Sequence, residues 1–428
     1  MASVLSVAII GAGPYGLSLA AHLAANGVEA RVFGPPMASW RNGMPRGMRL
    51  KSEGFASRLF DPGNGYSLET FCAERGLPYA ALDVPVPVET FTAYGEAFQQ
   101  RFVENLDPRL ITRVERGPHG FTLTLADGAS VAARRVVVAT GVAPYRHTPD
   151  ALAGLSRSRL THTCEHADYA SFAGRRVIVI GAGASAVDAA AALQRGGAEA
   201  HLVSRRAAVR FHAGGNLRGW RQRLKAPMTP LGPGWKKLFC VKAPLLFHAL
   251  PARLRNAIVE RYLGPAPGWA AREDFEGKVA LHLSSTLISA RETADGVALE
   301  IADGDGRRHT LQADHVVAGT GYRVDVNRLG FLDPAVVAGV ALNQSAPRLS
   351  SRFESSVPSL YFVGPASAYE FGPMLRFVCG AGFAARRVTA HVIASERARG
   401  RLLRHSLDAR TPAVETATDF QLDGSPAC

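Results

Sequence analysis

Ser3-Val-Leu-Ser-Val-Ala-Ile-Ile-Gly-Ala-Gly-Pro-Tyr-Gly16 runs an unbroken apolar segment straight into a glycine turn. Leu17 to Asn26 follows with alanine and leucine at helical spacing, Gly27 stops it, and Val28 to Phe33 is again strand-like. The order is therefore strand, glycine turn, helix, strand. The same order returns at Arg176 to Ile180, Gly181-Ala-Gly-Ala-Ser-Ala186, Val187 to Arg195, Gly196-Gly197 and Ala200 to Ser204. A single GxGxxG is weak evidence, but two copies, each between a strand and a helix, predict two mononucleotide-binding units. Glycines let the backbone approach a pyrophosphate at a helix N-terminus, where free N–H groups and the helix dipole favour negative charge.

The two copies differ beyond the turn. An acid about 20 residues on would hold a ribose hydroxyl; in the first unit Gly34 stands there, so the ribose must be held otherwise. In the second unit the strand ends at Ser204-Arg205-Arg206, and two guanidiniums suit a 2′-phosphate, which favours NADPH over NADH. The competing reading is two solvated arginines in an already arginine-rich stretch. Arg135 to Gly141 and His315 to Gly321 resemble each other, each a buried strand ending in Thr-Gly, and are expected to mark where the chain crosses between the two nucleotide domains. Leu360 to Gly364 and the helix-like Phe383 to Arg397 read as a last strand and helix.

The 428 residues, 47% hydrophobic and 20% charged, are enough for more than one globular core. The 43 glycines and 26 prolines show no repeat period, which excludes collagen-like and low-complexity classes. No apolar run approaches the roughly 20 residues needed to span a bilayer. Nor does a basic region or cleavage site precede the first strand, so a cytoplasmic location without a signal peptide is expected. Cys72, Cys164, Cys240, Cys379 and Cys428 are scattered without a CxxC or zinc-ligand spacing, as for structural thiols in a reducing compartment, and no metal site is expected. The net charge of +13 is concentrated: His201 to Tyr262 holds thirteen Lys or Arg against Glu260 alone, together with Trp220, Trp235 and Phe239. Three readings of this segment stand open: a cover over an anionic cofactor or substrate, a membrane-surface or acidic-partner patch, and a solvated face. No nucleic-acid motif accompanies it.

With these motifs in place, the chain resembles the class B flavin-dependent monooxygenases, within them the flavin-containing and N-hydroxylating enzymes. The resemblance covers Val4 to about Val392 and rests on Gly11 to Gly16, on His162-Thr-Cys-Glu-His-Ala-Asp-Tyr169 leading into the second glycine turn, and on Gly319-Thr-Gly-Tyr322. It implies an α/β fold of two Rossmann-like domains: residues 1–155 and 313–404 for FAD, and 156–312 for NADPH with a basic helical insertion at 207–270. Residues 405–428 are expected to form a mobile tail. The residues implied to hold FAD are Gly11, Gly13, Pro14, Tyr15, Gly16, Gly141 and Gly364, with Trp40 and Met48 along the ring. Gly181, Gly183, Ala184, Ser185, Arg205 and Arg206 are implied for NADPH, and Gly321 and Tyr322 are implied as cofactor-binding residues at the second crossing. Lys51 and Ser52 are the implied catalytic pair, Ser52 falling near where related enzymes place an asparagine. A serine capping the next helix is the competing reading of Ser52, and satisfied loop histidines that of His162 and His166.

The activity implied is oxygenation of a small molecule by dioxygen, at nitrogen or sulfur or by hydroxylation, through a C4a-(hydro)peroxyflavin. The substrate stands open as free, anionic or carrier-bound at the basic insertion, with no nucleic acid involved. The Baeyer–Villiger fingerprint FxGxxxHxxxW is not met, since no tryptophan follows His162 at that spacing. Lactone formation, a flavin NADPH oxidase or diaphorase, and a carrier- or membrane-docked redox module are the alternatives. A disulfide reductase would need the missing dithiol.

Overall fold

The computed structural model describes residues 4–212, 220–262 and 266–408. Arg218 of the basic segment and most of the expected tail, Cys428 included, lie outside the described residues. The first glycine turn joins β1 (Leu5–Ile10) to the helix Pro14–Ala24, which leads to β2 (Ala30–Phe33). β3 (Leu106–Asp107), β4 (Ile111–Gly117), β5 (Gly120–Leu125) and β6 (Ser130–Val138) complete the N-terminal contribution to a seven-stranded sheet. Its order is β3-β2-β1-β6-β5-β4, and the late strand Leu360–Phe362 pairs in parallel with the end of β6. Every residue of β1 is buried, which explains its unbroken apolar run: a parallel strand covered on both faces has no polar side to alternate with.

The second sheet is built from β7 (Leu160–His162), β8 (Arg176–Ile180), β9 (Glu199–Val203) and β10 (Ala280–His282). The antiparallel meander β11 (Thr286–Glu292), β12 (Val297–Ala302) and β13 (Arg308–Ala313) comes next, and β14 (His315–Ala318) returns to the sheet. Its order is β10-β9-β8-β14-β7, all parallel. β8 feeds two cores by alternation. Val177 and Val179 pack with the alanine-rich helix Ala184–Arg195, while Ile178 and Ile180 pack with Val297, Leu299 and Ile301 of the meander.

The expected crossing segments come together. β6 lies in the first sheet and β14 in the second, and the stretches immediately after them pair antiparallel. The His147 amide donates to the Gly321 carbonyl at 2.9 Å, and the Arg323 amide to Tyr145 at 2.8 Å. Both sheets sit in one compact body that extends to Thr389. From Ala390 the final helix, Ala381–Asp408, belongs to a second unit; it runs four residues into the expected tail, and residues 409–428 lie outside the described residues. Among the described residues no helix is long and apolar enough to cross a membrane.

Candidate functional site

Both glycine turns sit at the carboxyl ends of parallel strands, where open α/β sheets bind ligands. Gly11 adopts φ +113°, and a Cβ there would lie 2.5 Å from the Ala139 carbonyl oxygen. At Gly16 a Cβ would lie 1.9 Å from the Gly11 carbonyl oxygen. Those two glycines are demanded by the packing of the turn itself. Gly13 is different: it has extended backbone at the head of the helix, Pro14 takes the first helical position, and no atom lies within 4 Å of a Cβ built there. Gly141, at φ +70° just past β6, is equally open. The N-terminus of the helix therefore faces free space flanked by bare backbone, a cradle of the kind a pyrophosphate fills.

Tyr15 ties this turn to the C-terminal segment. Its hydroxyl lies 2.8 Å from the carbonyl oxygens of both Leu375 and Phe377, and its ring lies 3.3 Å from the Cβ position of Gly364 (φ +73°). Burial pushes the Tyr15 phenol well above its ordinary pKa, so it stays a donor. Its bonding partners are thus protein carbonyls.

In the second turn Gly181 has φ +125°, and its Cβ position is 2.3 Å from the Gly319 carbonyl oxygen. Gly183 heads the helix, with Ala184 and Ser185 in its first turn. Ala186 stands where the third glycine usually is, and the room for its methyl comes from across the sheet: a Cβ on Gly319 would lie 2.5 Å from it. Tyr322 lies beside Gly321 (φ +80°), edge-on to the His162 ring at 5.2 Å. Its hydroxyl, raised by burial, has Cys164, Thr163 and Ser185 around it. His162 is a satisfied loop histidine: Nδ1 accepts from the Cys164 amide at 3.3 Å, Nε2 lies 3.2 Å from the Gly321 carbonyl, and burial lowers its pKa to about 4. His166 is likewise bonded, to the Thr161 hydroxyl at 2.7 Å. Arg205 and Arg206 are exposed just beyond β9, with the Arg206 amide donating to Ser204 Oγ at 3.0 Å.

The other expected residues separate. Trp40 packs edge-on against Phe91 at 4.6 Å, and Phe91 in turn meets Tyr94 at 6.3 Å. Met48 lines a small recess with Asp188 and Arg195. Lys51 and Ser52 share another recess with Glu53, Gly268 and Trp269. Ser52 caps no helix: Glu53 precedes the short turn Gly54–Ala56, whereas Ser67 caps Leu68–Glu74 through the Thr70 amide. Burial, with Lys237 and Arg376 as like charges, lowers the Lys51 ammonium to about 8.

Sequence reading missed the features that come from tertiary contact. A cavity of about 270 Å³ opens among Tyr145, Tyr322, Arg323, Glu260, Tyr369 and Arg376. The insertion docks through a buried ion pair: Arg255 Nη2 lies 2.9 Å from Glu370 Oε2, and the guanidinium also donates to the carbonyls of Tyr369, His248 and Leu250. Phe247 packs on Gly372, whose Cβ position is 3.4 Å from its ring. Burial raises the Asp188 carboxyl to about 7, with Arg195 opposing. An acid in the first turns of a nucleotide-binding helix was the only signal for Asp188, and none marked Glu370.

Residues 5–222 match the family model described as pyridine nucleotide-disulphide oxidoreductase. The indole-3-pyruvate monooxygenase YUCCA1 of Oryza sativa subsp. japonica is 31% identical over 208 residues, 46% of this chain and 47% of that protein, so the chain spans about half the length of that curated relative. A ferredoxin–NADP reductase of Gluconacetobacter diazotrophicus is 26% identical over 395 residues, 90% of each chain. Among solved structures, the reduced ornithine hydroxylase of Pseudomonas aeruginosa aligns over 91% of this chain and 99% of its own, with a TM-score of 0.72 and 17% identity, a likeness of fold.

Proposed function

The chain belongs to the pyridine nucleotide-disulphide oxidoreductase family, and from that premise we propose that it is an FAD-dependent, NADPH-consuming monooxygenase acting on a small molecule. The observation that carries this reading is the pair of glycine turns at the carboxyl ends of parallel strands in two sheets, with a cavity lined in part by the two segments that join those sheets. The open Cβ positions of Gly13 and Gly141 fit the close approach of a dinucleotide. In this reading Gly11, Gly13 and Gly16 cradle the FAD pyrophosphate, and Gly181, Gly183 and Ser185 that of NADPH. Arg205 and Arg206 clasp the 2′-phosphate from solvent. The division proposed is residues 1–155 and 313–404 for FAD and 156–312 for NADPH, except that β14, His315–Ala318, is a strand of the second sheet, which moves the return crossing past Ala318. A bound flavin supplies hydride acceptance and activation of dioxygen, chemistry that belongs to the cofactor. The protein's share is orientation, exclusion of water and hydrogen bonding. Lys51, with an ammonium near pKa 8, sits ready to donate or hold a proton beside Gly268 and Trp269. Disulfide reduction is disfavoured, because the chain has no CxxC and the described cysteines, Cys72, Cys164, Cys240 and Cys379, are all unpaired.

Purified yellow protein, reduced with NADPH under anaerobic conditions and mixed with ¹⁸O₂ and a panel of amines and sulfides, tests the assignment. One labelled oxygen in the product, with peroxide release below the NADPH consumed, is the expected result; stoichiometric peroxide with every candidate refutes it.

A second reading has its own support. The full-length likeness to a ferredoxin–NADP reductase goes with an insertion that exposes Trp235 (61%) and Leu246 (63%) among Lys236, Lys242 and Arg253, a surface suited to an acidic electron carrier. NADPH-driven reduction of a ferredoxin, faster than peroxide formation and slowed by salt, would favour it.

A further inference from the structure

The basic insertion turns apolar side chains toward solvent. Its helix Trp235–Lys242 places Trp235, Phe239 and Lys242 on one face, at i, i+4 and i+7, with Lys236 at the edge of that face. All four are exposed, while Cys240 turns inward. The end of the preceding helix, Trp220–Lys225, joins this face directly, because the Trp235 indole N–H donates to the Leu224 carbonyl at 3.2 Å. Leu224, 62% exposed, thus adjoins the indole, and the exposed Lys225 follows it. An exposed lysine is solvated at little cost, whereas an exposed indole and leucine leave apolar area in water that a partner can remove. The charge specifies the partner. From His201 to Tyr262 thirteen Lys or Arg stand against Glu260 alone, and Glu260 accepts from Gln344 Nε2 at 3.0 Å, so no carboxylate of this stretch answers the lysines of the face.

We propose that the face formed by Leu224, Trp235 and Phe239 with Lys225, Lys236 and Lys242 docks this chain on an anionic phospholipid surface. The complement of this face is negative outside and apolar beneath. A bilayer with acidic headgroups has both: phosphates at the level of the lysines, acyl chains below, and a boundary at which indole rings settle. A small acidic protein carrier answers the lysines by charge but offers Trp235 and Leu224 no apolar phase to enter. The docking is peripheral and stands apart from the chemistry at the glycine turns, so its test needs no turnover. The segment that docks is continuous with the one that lines the cavity of about 270 Å³ through Val259 and Glu260.

The full-length protein, sedimented with vesicles of equimolar phosphatidylglycerol and phosphatidylcholine or of phosphatidylcholine alone, tests the proposal. Binding about tenfold or more tighter to the anionic vesicles, and weakened by salt, is expected. Changing Lys225, Lys236 and Lys242 together to Gln should weaken it about a hundredfold, since each lysine contributes a similar share of the attraction. Trp235→Ala should weaken it about tenfold through lost apolar burial. Brominated phosphatidylcholine in the anionic vesicles should quench the tryptophan emission of the bound protein. Trp235→Phe, which keeps an aromatic ring at the face, should retain binding within about threefold and lose most of that quenching. No sedimentation, equal binding to both kinds of vesicle, or anionic binding with unquenched emission overturns the proposal. So does a triple lysine variant that binds as the parent does. Binding of an acidic ferredoxin that is lost in Trp235→Ala, by protein that no vesicle sediments, gives the face to a protein carrier instead.

Discussion

Replacing Arg255 by Met should release the insertion from the C-terminal segment. Glu370 is 2% exposed, and of its two oxygens Oε2 meets the guanidinium at 2.9 Å while Oε1 is buried without a hydrogen-bond partner. His248 Nδ1, 3.4 Å from Oε2, lacks hydrogen-bonding geometry to it, so Arg255 is the principal group answering this carboxylate. The same side chain holds the carbonyls of His248 and Leu250 on the insertion and of Tyr369 opposite. Breaking a buried pair from one side costs about 3–5 kcal/mol, because an uncompensated charge stays behind. That cost falls on docking of the insertion, so it should appear as local opening. At about 1.4 kcal/mol per tenfold, trypsin should cut the Lys- and Arg-rich stretch 236–253 roughly 10²- to 10³-fold faster under native conditions, provided closing outpaces cleavage. Glu370→Gln, which leaves a neutral acceptor, should cost less. The double variant Arg255→Met with Glu370→Leu should recover most of the loss, since neither charge remains. Cleavage of Arg255→Met within threefold of the parent would refute the assignment of this pair as the latch.

The two glycines of the first turn should part company. Gly16→Ala drives a methyl into the Gly11 carbonyl and should lower stability by about 3 kcal/mol, read by urea unfolding; Gly13→Ala meets no protein atom and should leave the unfolding midpoint of flavin-free protein unchanged while the purified protein loses its FAD. Equal flavin content in Gly13→Ala and parent protein would remove Gly13 from the cradle. Changing Arg205 and Arg206 to Ala should raise KM for NADPH at least tenfold and leave KM for NADH nearly unchanged; equal effects would return both arginines to solvent. Asp188 carries a folded-state pKa of about 7, above the roughly 3.9 of an unfolded aspartate. Its contribution is therefore complete below pH 4 and lost as pH rises through 7. Asp188→Asn should remove about 1–2 kcal/mol of the stability difference between pH 5 and pH 8, a modest figure because the side chain is partly accessible to solvent. An unchanged pH dependence of the unfolding midpoint would sink that account.

Much of the architecture was legible because it rests on local rules. A parallel strand buried on both faces must be an apolar run, as β1 and β8 are, and a turn that passes bare backbone under a helix must be glycine at Gly11, Gly16 and Gly181. Both rules act within about 15 residues of chain, so the two nucleotide units and their order could be read without coordinates. The likeness of the two strands ending in Thr-Gly was legible as well, while the antiparallel pairing of the stretches after them came from the structure. Position along the chain did not tell which way side chains turn: Trp40, on the short helix Ala38–Asn42, meets Phe91 edge-on, and Ser52 caps no helix. Tyr15 stands inside the glycine motif and yet reaches carbonyls some 360 residues away. The contacts of Arg255 with Glu370 and of Phe247 with Gly372 join segments that have no periodic or spacing relation. They exist because the insertion folds back onto the C-terminal segment. The amino-acid sequence by itself determined the two glycine turns between strand and helix, since those depend on backbone freedom at named glycines. Only the tertiary structure decided which charges meet, because burial and electrostatic pairing are set by distance in space.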